Sequence, residues 1–131
     1  MILTNNFIET RSCYINKLDE TENILRIEKK LGEDIDFDEL INIDNAYRGL
    51  LENKSGKFLV VFAEDCSLTK EMKTKLASKE RSSFKKAEAL VIKTLANRIE
   101  ANFYKKFYKP EHPLEIFETE AEGLRWLTSL N

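Results

Sequence analysis

From Lys85 onward the chain alternates between two hydrophobic periods with almost nothing between them. KKAEALVIKT (85–94) carries a short continuous apolar run, LANRIEANFYKKFYK repeats its apolar residues at helical spacing, PEHPLEIF restarts a short run after a proline, and TEAEGLRWL returns to the helical period. A buried strand, an amphipathic helix, a second strand and a closing helix joined by short connections specify an α/β unit with parallel strands. Parallel neighbours need a crossover, and the helix supplies it.

The upstream half fits the same plan. Residues 7–29 read as an antiparallel hairpin at the sheet edge, with Cys13, Ile15 and Leu18 on one strand and Leu25 and Ile27 on the other, across the polar turn LDETEN. Asp36 and Glu39 form a capping-box pair at the head of a helix that places Leu40, Ile43, Tyr47, Leu50 and Leu51 toward the sheet and ends near Asn53. FLVVFA (58–63) has the length and unbroken hydrophobicity of a central strand. A thinly apolar helix follows over 69–79, with Leu68, Met72 and Leu76 as its ridge.

ALVI (89–92) is the next central strand. The helix over 95–108 puts Leu95, Ala96, Ile99, Phe103 and Phe107 on one side, where they are expected to cover the sheet. Pro110 ends that helix and Pro113 sets up the strand 114–117. Thr119 and Glu122 cap a last helix whose core face is expected to hold Ala121, Leu124, Trp126, Leu127 and Leu130. The order ββαβαβαβα predicts an α/β fold: a mixed, mostly parallel sheet with an N-terminal β-hairpin and flanking helices. Residues 1–131 form one domain, with 1–6 a flexible N-terminal segment.

A chain of 131 residues with 42% hydrophobic content buries one core without staples. Lys and Arg total 21 against 23 Asp and Glu, a net charge of -2, so no global field draws it to nucleic acid. Cys13 and Cys66 are far apart and outside any CxxC pattern, which argues against a zinc site or a disulfide. No run approaches the ~20 apolar residues of a membrane span, and no basic-then-apolar leader opens the chain, so a cytoplasmic protein is expected.

LTKEMKTKLAS (68–78), the stretch from KKAEALVIK through KPEHPLEIF (85–117) and TEAEGLRWL (119–127) resemble a group of small bacterial proteins called STAS-like or SpoIIAA-like. The likeness runs from about Phe7 to Leu130. It implies a STAS-like fold, as in the sporulation-type anti-sigma-factor antagonists, and a non-enzymatic regulatory or protein-interaction role. In those antagonists a phosphorylated Ser opens the helix after the central strand, directly behind an Asp. Here that place reads Asp65-Cys66-Ser67-Leu68, with the Ser displaced by one. A more distant similarity to CRAL-TRIO lipid-transfer domains implies a ligand held against the sheet.

The candidate residues follow. Ser67 and Thr69 stand at a helix start and read as N-caps, with phosphorylation the functional alternative; Asp65 and Cys66 complete that candidate interaction segment. Arg98, Asn102, Lys105 and Lys109 recur along one stripe of helix 95–108, flanked by Tyr104 and Tyr108, and form a candidate surface for an anionic partner. Exposed Tyr104 and Tyr108, with the edge hairpin, suggest a homodimer. Asp34, Asp36 and Asp38 mimic the start of a calcium loop but lack its Gly and its closing Glu. His112 reads as a surface loop residue, and no catalytic, metal or cofactor site is expected. The leading expectation is a regulatory module with a protein partner; the alternative is a small-molecule or lipid-binding domain with a pocket between sheet and helices.

Overall fold

The computed structural model describes residues 2–3, 6–19, 23–64 and 69–130. Among them seven strands make one sheet in strict chain order. These are β1 (Ile2–Leu3), β2 (Phe7–Glu9), β3 (Cys13–Asp19), β4 (Ile24–Lys29), β5 (Gly56–Val61), β6 (Lys85–Val91) and β7 (Leu114–Phe117). The helices are α1 (Phe37–Leu50), α2 (Lys70–Leu76), α3 (Lys79–Ser82), α4 (Leu95–Phe107) and α5 (Glu120–Ser129). The pairings from β1 to β4 are antiparallel and those from β4 to β7 parallel, so the sheet is mixed and helix-flanked as the sequence predicts.

The β3–β4 hairpin forms with Ile15 opposite Ile27, as the alternation requires. It is not at the edge, because β2 pairs with β3 and β1 pairs with β2. Ile2–Leu3 falls in the stretch expected to be flexible and forms the outermost strand.

Sequential order fixes where the helices lie. Parallel crossovers are right-handed, so three successive crossovers stepping in one direction place α1, the α2–α3 pair and α4 on the same face. On that face Ile43, Ala46, Tyr47 and Leu50 pack on Leu25 and Phe58, and Ala101 and Tyr104 pack on Leu90 and Leu114. The opposite face, carrying Leu59, Ala89 and Val91, is covered by Leu127 and its neighbours on α5. Gly123 lets α5 approach closely, since a Cβ there would lie 2.9 Å from Leu59 Cδ1.

Two helix faces depart from expectation. The buried side of α4 is Asn97, Ala101 and Tyr104, while Leu95, Ile99, Phe103 and Phe107 are 71%, 62%, 47% and 61% exposed. Small Ala101 lets the helix axis come close to β6 and β7. Asn97 Nδ2 donates to the Ala63 carbonyl at 2.9 Å and fixes the rotation. Tyr104 is therefore buried, not an exposed element of a dimer surface. On α5, Ala121 is exposed rather than in the core. Among the described residues no helix is long and apolar enough to cross a membrane.

Candidate functional site

Strict strand alternation would put Lys85 and Glu88 on opposite faces of β6. A β-bulge prevents this: Gly56 pairs with Lys85 but the next residue, Lys57, pairs with Ala87, so Lys86 is the extra residue. Both side chains then face the helical layer, with Lys85 Nζ 3.0 Å from Glu88 Oε2. His112 completes the cluster. The Pro113 carbonyl accepts from Glu88 N at 2.9 Å, which lays the loop against β6, and His112 Nε2 sits 2.8 Å from Glu88 Oε1. His112 Nδ1 is 2.8 Å from Ser82 Oγ at the end of α3. The lone histidine is thus buried, which corrects its reading as a surface loop residue. A charged carboxylate inside an apolar strand needs partners, and the loop supplies one.

Arg81 enters from α3, whose N-cap Ser78 accepts from Arg81 N. Its Nε and Nη2 both bond Asp44 Oδ1 of α1, at 3.2 and 2.8 Å. Its remaining nitrogen, Nη1, is buried without a hydrogen-bond partner, alone in this among the described side chains. The electrostatics follow from burial and pairing. Burial pushes the Lys85 ammonium down to about 8, against the pull of Glu88. Burial raises the Glu88 carboxyl, but Lys85 and His112 overcome it and hold it well below the ordinary carboxylate range. The Tyr47 and Tyr104 phenols are raised by burial, and both feel Arg81 and Glu88.

Lys85, Glu88, Arg81, Tyr47 and Tyr104 line one side of a cavity of about 120 Å³ between the sheet and α1, α2 and α4, with Asp44 and His112 bonded to them from behind. The rest of its surface is mostly apolar, with Ile43, Val60, Phe62, Met72, Leu90 and Leu114 among the lining residues. The volume is close to that of engineered cavities of ~150 Å³ that bind benzene. Lys73 and Glu100, 3.0 Å apart and partly exposed, stand where α2 and α4 bring the cavity toward solvent. A buried ion-pair cluster is often no better for stability than apolar packing, so its place beside a cavity marks a functional-site candidate.

Ser82, His112 and Glu88 are linked in series like a hydrolytic triad. Ser82, however, is not on the cavity wall, and its oxygen engages His112. The relay orders the cluster and anchors α3 to the loop. A second buried carboxylate, Glu39, accepts from Ser12 N at 2.7 Å and Thr10 Oγ1 at 2.8 Å. It pins the β2–β3 turn to α1 instead of reaching back to its own cap, so only Asp36 performs its part of the expected capping box.

Asp65, Cys66 and Ser67 lie outside the described residues. Thr69 is an N-cap, accepting from Met72 N at 3.1 Å. In the cationic stripe, Arg98 pairs with Glu118 at 2.9 Å and Lys105 with Glu115 at 3.0 Å. Two of the three cations are thereby turned toward β7 and its flank. Asn102 is exposed on the helix, and Lys109 lies past its end at positive φ. The stripe and the cavity are separate features. Nothing in the sequence expectations pointed to Lys85, Glu88, Arg81 or Asp44, and His112 was expected on the surface; the usable signal was Glu88, a charge within the apolar run AEALVI.

Fold and site together define an α/β domain with helices on both faces of its sheet and, on the face of α1 to α4, an apolar cavity backed by buried charges. Residues 18–131 match the family described as a domain of unknown function, DUF7793, and the chain belongs to that family. No curated protein and no solved structure matches it.

Proposed function

We propose that the protein is a non-enzymatic ligand-binding domain of regulatory type, whose cavity between the sheet and α1, α2 and α4 holds a small, largely apolar molecule. The observation that carries this reading is the cavity itself: about 120 Å³, apolar on most sides, polar on one. That combination fixes a ligand's orientation while most of its surface is removed from water. The test is native mass spectrometry of protein purified gently from its own source, followed by organic extraction. A non-covalent small mass released on activation supports the reading. A bare chain that also gains no thermal stability from small aromatic and aliphatic molecules contradicts it.

A second reading, a protein-interaction module, is supported by the exposed stripe Leu95, Ile99, Phe103 and Phe107 on α4. Contiguous exposed apolar side chains on one helix suit a protein partner or a second copy of this chain. Light scattering and affinity capture with native protein and an Ile99→Ser/Phe103→Ser variant test it. Loss of a complex in the variant supports the surface, and an unchanged monomer in both contradicts it.

A further inference from the structure

We propose that the cavity selects small apolar molecules carrying one carboxylate, and that the guanidinium of Arg81 is the group that receives it. The proposal rests on the ligand-binding reading above and adds the chemistry of the headgroup.

The argument is a surplus of donors. Arg81 has five N–H donors; Nε and Nη2 go to a single oxygen of Asp44, and Nη1 has no partner although it is buried. Lys85 brings three donors, and its ammonium is bonded to Glu88 Oε2. Both side chains line the cavity. An unmatched buried donor is unfavourable unless something accepts from it, and Arg81 belongs to the wall against which a ligand would lie.

The charge balance points the same way. Four cationic side chains line the cavity, Lys29, Lys73, Arg81 and Lys85, against the carboxylates Glu88 and Glu100. Asp44 behind Arg81 supplies a third carboxylate, so Lys73 is paired with Glu100, Arg81 with Asp44 and Lys85 with Glu88, and the one charge left over is that of Lys29. Its ammonium is held by the carbonyls of Lys30 and Glu33, which do not neutralise it, so an anion in the cavity offsets a net positive charge of the lining. A planar guanidinium suits a carboxylate, and the small volume favours one planar anionic group with a short apolar body over a bulkier phosphate ester.

The test is calorimetric titration of the full chain with matched pairs: benzoate and benzamide, isovalerate and isovaleramide, hexanoate and hexanamide. Native protein is expected to prefer the carboxylate of at least one pair by about tenfold or more, the range of a charge-assisted hydrogen bond. Arg81→Gln should abolish that preference while amide affinity stays within about twofold. Should that variant fail to fold, Arg81→Lys, which keeps the charge and loses the planar fork, is expected to reduce the preference. The native preference itself is measured without any variant. Amides binding as tightly as carboxylates to native protein would overturn the proposal and leave the ligand-binding reading intact. No binding by any member of either series would overturn both.

Discussion

Lys85 and Glu88 lie three residues apart on one strand and nevertheless share a face, because the bulge at Lys86 shifts the alternation between them. The consequence is a buried ion pair in the sheet, under the cavity. Breaking it from one side leaves a charge without its partner. Glu88→Gln is expected to destabilise the fold by about 3–5 kcal/mol, whereas Lys85→Met/Glu88→Gln should be less destabilising than the sum of the two single changes. Urea midpoints of the four proteins measure this; additive effects would show that the pair is not coupled.

The same groups set the pH dependence. Glu88 is lowered in the fold, as are Glu39 and Glu120. Their contributions are full above the ordinary carboxylate range and are lost as pH falls below about 4. Glu88→Gln should make that acid loss shallower. Lys85 behaves oppositely: lowered to about 8, it disfavours the fold while charged, so stability rises with pH above 8. Near pH 10 the raised Tyr47 and Tyr104 reverse the trend, because unfolded phenols ionise there first. Burial raises the Cys13 thiol, which costs stability over the same window in both proteins, so urea midpoints between pH 8 and 10 should climb for native protein relative to Lys85→Met.

The rotation of α4 is testable by substitution on its two sides. Ile99→Ser on the exposed stripe should change stability by no more than about 0.5 kcal/mol, while Ala101→Leu on the buried side should cost about 1–3 kcal/mol through overpacking. Thermal melts decide it, and the reverse order would place the large apolar residues in the core after all.

Thr69 caps α2 through its hydroxyl. Thr69→Ala should cost about 1 kcal/mol and Thr69→Ser much less. Equal stability of all three proteins by urea titration would show that this cap contributes nothing.

Much of the fold was legible because it rests on periodicity. FLVVFA, ALVI, the hairpin pair Ile15 and Ile27, and α1 with Leu40, Ile43 and Tyr47 inward all appear where the pattern of apolar residues puts them. The site was less legible for three physical reasons. A bulge inserts a residue without any mark in the composition, so Lys85 and Glu88 read as opposite-facing. A helix is docked by whichever side fits most closely, and on α4 Ala101 outweighed the larger Ile99 and Phe103. His112 is buried by a contact to a strand 24 residues away, which local loop chemistry does not reveal.

The most direct test is a methyl NMR titration of native protein with benzoate and benzamide, following Ile43, Met72 and Leu90 in the cavity and Ile99 on the exposed stripe. Saturable shifts confined to the three cavity residues are the predicted result. Shifts confined to Ile99, or none at any of the four, would contradict a ligand site between the sheet and its helices.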